Sequence, residues 1–243
     1  MVYEPRTYRE AVDAAGLVSF EVVRAETDLH ISASRDLSRE AGALVREIRS
    51  TLEGYVATHP RFAESFVPVD VEPDAPEIVR AMAEAGRAAG VGPMAAVAGA
   101  VAERVARGLA PASPEIIVEN GGDLYLMGNM PRTVLLEAGD SPLSGRVALA
   151  IAAEELPVAV CTSSGTVGPS VSLGVAHAAT ILADDGAFAD AAATAVGNVV
   201  HGPDDVEDAV AVGRAMPGVR GVVVIAGERI AAAGQIHLVR ACA

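Results

Sequence analysis

Near the start of the chain two short runs, Val18-Ser19-Phe20-Glu21-Val22-Val23 and Leu29-His30-Ile31-Ser32-Ala33, flank the polar Glu26-Thr27-Asp28. A period of about two with a polar break predicts a β-hairpin. After Ser34 to Asp36, which suit a helix cap, Leu44, Val45, Ile48, Leu52 and Tyr55 recur every three or four positions up to about Val56, ahead of His59-Pro60. This predicts an amphipathic helix with one buried face. The Pro- and acid-rich stretch from Val67 to Pro76 reads as a connector. A second helix is expected from near Pro76 to Gly90. A third is expected from Met94 to about Gly108, led by Gly92-Pro93 and carrying almost nothing but Ala, Val and Gly on its first two turns.

Beyond Pro114 the pattern turns to period-two and continuous apolar runs at 115–118, 124–126, 133–136, 147–151 and 157–160, which predict strands joined by short turns. Ala178 to Leu182 then reads as a strand, Phe188 to about Val200 and Asp204 to Met216 as helices, Val222 to Ile225 as a strand, and Ile236 to Val239 as part of a final hairpin. Runs of strands and runs of helices favour an α+β fold over a strictly alternating one. The chain has 243 residues, with no repeat and no obvious linker, and is expected to form one domain over 1–243.

Charge narrows the function. There are 18 basic and 32 acidic residues, for a net charge of −14, which disfavours binding to nucleic acid through its phosphates. All 18 basic residues are arginine, so Schiff-base chemistry on lysine, a P-loop lysine and a lysine general base are excluded. Anionic groups of a ligand must be held by arginine, by backbone N–H groups or by a metal ion. Aromatic residues make up 3% and tryptophan is absent, so the core must be built from Ala, Val, Leu and Ile. The longest uncharged run, Leu156 to Ala183, is interrupted by Thr162, Ser163, Ser164, Gly165 and Gly168 and is too polar for a membrane span. No apolar signal segment opens the chain, and Cys161 and Cys242 form no CxxC. A soluble, cytoplasmic protein is expected, with a homodimer plausible for so Ala/Val-rich a chain.

Four segments carry candidate chemistry. Gly92 and the small residues after it suit a helix start at which free N–H groups face a phosphate, or else a tight helix-packing site. Glu119-Asn120-Gly121-Gly122-Asp123 reads either as a type I′ hairpin turn or as a place where a ligand approaches the backbone beside polar side chains. Cys161-Thr162-Ser163-Ser164-Gly165 follows an apolar strand and suits a phosphate or a flavin edge. Cys161 itself fits a small buried residue better than a nucleophile. In the helix beginning near Phe188, Asp190 and Thr194 lie four residues apart and share a face, as ligands for a hard cation such as Mg²⁺ would, or with Asp190 as an N-terminal cap.

In their order these segments resemble the ApbE-like superfamily, whose characterised members are FAD:protein FMN transferases, in a branch distinct from the transferases themselves. Glu119-Asn120-Gly121-Gly122-Asp123 is similar to the family's Asn-Ala-Gly-Gly-Asp, Thr162-Ser163-Ser164-Gly165 to its Thr-Ser-Gly loop, and Ala189-Asp190-Ala191 to Thr194 to its Ala-Asp-Ala-Leu-Ser-Thr. The resemblance implies a T-fold-like mixed sheet with packed helices. It also implies Mg²⁺ on Asp190 and Thr194, with a backbone carbonyl near Ala96 to Ala98 as a third ligand. An FAD or FMN would lie across Gly121-Gly122, Ser163 to Gly165 and the helix led by Gly92. Two segments depart from the family pattern: Ala98-Gly99 stands where a Lys-Gly pair is usual, and the His and Asp-Pro segment is shortened to Ser170 to Ala176. The expected function is Mg²⁺-dependent binding of FAD or a related nucleotide with FMN or phosphoryl-type transfer. The alternative is a non-catalytic protein that binds flavin or another small anionic ligand.

Overall fold

The computed structural model describes residue 12, residues 14–166 and residues 172–241. The first two apolar runs form the expected hairpin, β1 (Val18–Arg24) and β2 (Thr27–Ala33), paired from Val18↔Ala33 to Arg24↔Thr27. The periodic segment after it is α1 (Ser38–Thr58), which buries Ala41, Val45 and Ile48. The Asp36 carboxylate accepts the Ser38 N–H at 2.8 Å, so the polar residues ahead of the helix do help to start it. Pro60 then opens a short α2 (Pro60–Glu64), absent from the sequence reading, because proline is tolerated in a first helical turn. Next comes α3 (Glu77–Ala89), closed by Gly90 in the left-handed conformation at φ 76°.

The helix expected from Met94 starts later. Pro93–Ala96 is a tight 3₁₀ turn, and α4 runs Val97–Leu109. The strands β3 (Ile116–Asn120), β4 (Asp123–Met127), β5 (Arg132–Leu135), β6 (Val147–Ile151), β7 (Val158–Ser163) and β8 (Ala178–Ala183) follow in the expected places. The chain ends in α5 (Gly186–Asn198), α6 (Val206–Ala215), β9 (Gly221–Ala226), β10 (Arg229–Gly234) and β11 (Leu238–Arg240).

Eight strands form one sheet in the order β1-β2-β3-β4-β7-β8-β9-β10, and β11-β6-β5 form a second. The α+β class holds, while the sheet, expected to be mixed, is antiparallel in every described strand pairing. A parallel pair needs a crossover connection, commonly one helix, whereas β8 and β9 are separated by two, α5 and α6. The last hairpin is also revised: β9 turns through Gly227, at φ 59°, into β10, and β11 pairs instead with β6.

Alternation along the strands sorts the core into two layers. Ile116, Val118, Tyr125, Ala159 and Cys161 face the helices, and Ile117, Leu124, Leu126, Val158 and Val160 face the small sheet. The absence of large rings sets the helix packing. On α5 the buried residues include Ala187, Ala189, Ala191, Ala192 and Ala193, which let the helix lie close to β7, β8 and α4.

Where α4 meets α5, Gly99 and Gly186 lie backbone to backbone: a Cβ on Gly99 would overlap the Gly186 carbonyl and reach within 2.9 Å of the Asp190 Cβ. Each helix also caps the other. Asp190 on α5 accepts the N–H groups of Ala98 (3.0 Å) and Gly99 (2.9 Å), and Glu103 on α4 accepts the Gly186 N–H (2.6 Å). The N-cap residue of α4, Ala96, has no side chain able to do this.

Gly99→Ala should therefore lower the thermal midpoint by several degrees, from an overpacking cost of about 1–3 kcal/mol at roughly 2–4 °C per kcal/mol. Gly54→Ala, at an exposed helix position where a Cβ meets nothing within 4 Å, should leave the midpoint unchanged or raise it. Equal midpoints for the two variants would show that the crossing can relax. Glu103→Ala should cost about 0.5–2 kcal/mol by stranding the Gly186 N–H, and Glu103→Gln, which keeps an acceptor, clearly less. Chemical denaturation of both variants measures the difference.

Candidate functional site

The α4–α5 crossing lies over one end of the large sheet, where β3 and β7 finish and β4 and β8 begin. On the helix-facing side of that end the strand alternation places Asn120, Asp123 and Ser163. Asn120 donates its side-chain N–H to the Ala98 carbonyl at 3.1 Å, tying β3 to the start of α4. Asp123 accepts the Thr162 N–H at 3.2 Å, tying β4 to β7. On α5, Asp190, Thr194 and Gly197 succeed one another at helical spacing, and a Cβ on Gly197 would stand 3.6 Å from the Ser163 hydroxyl. The structure thus gathers Asn120, Asp123, Ser163, Asp190 and the first turn of α4 into one place.

Other candidates are placed elsewhere. Gly121 and Gly122, at φ 67° and 103°, are the two central residues of the β3–β4 turn, so the hairpin reading of this segment holds; a Cβ on Gly122 would be 3.9 Å from the Thr162 carbonyl oxygen. Glu119 points to the opposite face and accepts the Gly122 N–H at 2.8 Å. Thr162 also points there, its hydroxyl 2.9 Å from that of its cross-strand partner Thr180. The Ser164 hydroxyl accepts the Thr166 N–H, and Gly165 donates to the Ala176 carbonyl while its own α-carbon faces Gly174. Gly92 is buried with no room for a Cβ against Ser65, which is the packing role. Ser170 and Cys242 lie outside the described residues.

Asp190 is not the cap of its own helix, as one of its two expected roles had it. The N-cap of α5 is Asp185, whose carboxylate accepts the Phe188 N–H at 2.7 Å. Asp190 caps α4 instead, through one carboxylate oxygen, Oδ2, leaving Oδ1 for other use. Burial raises its pKa, against the lowering effect of the Gly99 and Ala98 N–H bonds. Asp123 is raised well above the ordinary carboxylate value, first by burial and then by the negative charge of Asp190, with bonds from the Cys161 thiol and the Thr162 N–H opposing. Among the described residues neither carboxylate has an arginine partner. Cys161 is fully buried and its thiol is pushed well up, first by burial and then by Asp123 and Asp190, which suits a packed thiol rather than a nucleophile.

This donor set fits a hard cation that keeps several positions for water or phosphate. It offers the free oxygen of Asp190, the Thr194 hydroxyl one turn on, and the carbonyl of Ala98 close by. Among the described residues no three His, Cys, Asp or Glu side chains form a metal cluster. Among the described residues no helix is long and apolar enough to cross a membrane.

Two side chains that matter here escaped the sequence reading. Glu103 caps α5 from 83 residues away, and Arg49 of α1 lines a cavity that reaches Ala98 and Asn120. Local pattern gives no signal for either, because each partner is brought near only by the tertiary fold.

Known proteins share this fold. Solved structures of similar fold include the flavinyl transferase ApbE of Pseudomonas stutzeri in its apo form, at 15% identity and TM-score 0.58 over 89% of this chain and 93% of that one. The flavin transferase ApbE of Vibrio cholerae, as its H257G mutant, matches at 15% identity and TM-score 0.60 over 90% and 98%. In sequence, a UPF0280 protein of Methanosarcina acetivorans is 39% identical over 216 residues, 88% of this chain and 82% of its own. A UPF0280 protein of Methanocaldococcus jannaschii is 42% identical over 203 residues, 82% of each chain. The family model described as AbpE bacteria matches residues 9–233. The chain belongs to that ApbE-type family.

Proposed function

We propose that the protein binds FAD or a related flavin nucleotide together with Mg²⁺ at the end of the sheet beneath the α4–α5 crossing, and acts at the pyrophosphate. The observation that carries this reading is the carboxylate pair, Asp123 buried and Asp190 half-buried, beside a helix start and, among the described residues, without an arginine partner. Two like charges taken out of water favour a divalent cation. The fold neighbours named as flavin transferases direct the choice of ligand.

Asp190 and Thr194 would hold the metal, which when bound neutralises phosphate charge. Asp190 also orients the first turn of α4 through the Ala98 and Gly99 N–H groups. Asn120 holds the Ala98 carbonyl in place, and Asp123 ties the ends of β4 and β7 together. The Ser163 hydroxyl faces α5 at Gly197, where an added Cβ would stand 3.6 Å from it.

One observation favours a second reading, a flavin or small-anion binding protein without transferase activity. The position where the family has lysine is Ala98, so no cationic side chain projects from the start of α4. The experiment that separates the two incubates the protein with FAD and Mg²⁺ and follows FMN release or its transfer to a Ser/Thr-containing peptide. Turnover selects the enzyme; bound flavin without turnover selects the binding protein.

In either case FAD with Mg²⁺ should raise the thermal midpoint by several degrees, since a ligand at a hundred times its Kd adds about 2.7 kcal/mol. Asp190→Asn keeps an oxygen for the two N–H groups of α4, so it should fold normally but lose most of this rise. Thr194→Val should shift the Mg²⁺ dependence to higher concentration. An Asp190→Asn protein that binds flavin and Mg²⁺ as tightly as the wild type would remove the metal site from this reading.

A further inference from the structure

One face of α3 borders open space along nearly its whole length. Glu77, Ile78, Ala81, Glu84, Ala85 and Ala88 recur every three or four positions and line two concavities, of about 470 and 310 Å³, that adjoin at Ala81 and Asp185. The first is closed by Leu44 and Ile48 of α1 and by Ala100 and Gly108 of α4, the second by Phe188 of α5 and by Gly218. Together they make one groove beside α3, lined by none of Ala98, Asn120, Asp123, Ser163 and Asp190. At 1.5 Å per residue the distance along α3 from Glu77 to Ala88 is about 16 Å. An extended peptide covers that distance in about five residues.

The walls carry six carboxylates and two guanidiniums. Three of the carboxylates are balanced: Glu77 by Arg104 at 2.9 Å, Glu103 by Arg107 at 2.7 Å and Asp184 by Arg220 at 2.9 Å. Both arginines of the groove are used in this way, and among the described residues Glu47, Glu84 and Asp185 have no arginine partner. These three are exposed and stand apart, Glu47 at one end, Asp185 where the concavities join and Glu84 in the other half. Alanine and glycine between them leave room for a main chain, and negative charges at intervals complement cationic side chains at intervals. Like charge disfavours a second copy of this chain, which carries −14.

We propose that this groove docks an extended segment of a basic partner protein, about five residues long, with arginine or lysine at alternate positions. Alternate side chains of an extended chain point to one side, about 7 Å apart, so three of them meet Glu47, Asp185 and Glu84 in turn. The docking site stands independently of the flavin reading, because none of its residues serves that site as a ligand.

The test measures fluorescence anisotropy of a labelled six-residue peptide in which arginine alternates with alanine, at about 0.15 M salt, where separations beyond about 8 Å are screened. One control peptide groups the three arginines at one end, and another carries glutamate in their place. The alternating peptide should bind at least about threefold more tightly than the grouped one, and the glutamate peptide should not bind. Glu47→Gln and Glu84→Gln together should weaken the alternating peptide about fivefold, the contribution of two exposed ion pairs. Ala81→Phe, which fills the junction of the two concavities, should weaken it about tenfold or more. Unchanged thermal midpoints show that the variants fold, and the glutamine pair, both at exposed positions, preserves the test if Ala81→Phe does not. No binding of the alternating peptide, equal binding of the grouped one, or binding that the folded variants leave intact overturns the proposal. Spermine that binds more tightly than the peptide assigns the groove to a free polyamine and overturns the partner. A dimer in sedimentation that the same variants dissociate assigns the groove to a second copy and overturns it also.

Discussion

The close crossing of α4 and α5 is the constraint on which the rest of the site depends. Two glycines allow the backbones to meet, and two carboxylates, Asp190 and Glu103, each satisfy N–H groups at the start of the other helix. Neither half works alone. Side chains at Gly99 or Gly186 would push the carboxylates out of reach, and without the carboxylates the N–H groups at a closely packed helix start would lose hydrogen bonds that water cannot readily replace. Tyr125 reinforces the arrangement from the sheet below, with its hydroxyl accepting from Arg107 at 2.7 Å and donating to the Asp184 carbonyl at 3.3 Å.

Under the proposed function, that crossing is how a chain with a net charge of −14 and no lysine would offer a place for phosphates. In the proposed reading, attraction would be supplied locally, by a cation on Asp190 and Thr194, and not by a basic surface. The same economy of charge is seen at Arg49, whose bonds to Glu26 and Glu53 leave no net positive charge in the cavity wall. Small residues throughout the helices have a parallel effect on shape, because the space that aromatic side chains would fill becomes close backbone contact at the crossing and open volume beside Ala98.

Much of the architecture was legible because it follows from local periodicity. The β1–β2 hairpin, the buried face of α1, the strands β3, β4, β7, β8 and β9, and α5 all stand where apolar spacing put them. The misreadings have physical causes. Proline at the start of a helix concealed α2, and Pro93–Ala96 made a 3₁₀ turn where continuous small residues suggested α-helix. The alanine-rich β10 lacked the strong apolar signal that would have marked it as the partner of β9, so β11 was read as part of that hairpin instead.

For the site, the sequence by itself determined which residue types were available: an Asp and a Thr one helical turn apart, a polar segment around two glycines, small hydroxyl residues after a strand, and no lysine. Those are properties of spacing and composition, which a single chain segment carries. Only the tertiary structure decided which of them meet. Strand alternation turned Asn120 and Asp123 toward the helices and Glu119 and Thr162 away, and the packing of α4 on α5 made Asp190 the cap of a helix 91 residues distant. A carboxylate has no means of specifying, from its neighbours in sequence, which N–H groups it will meet; that depends on which backbones glycine allows to touch.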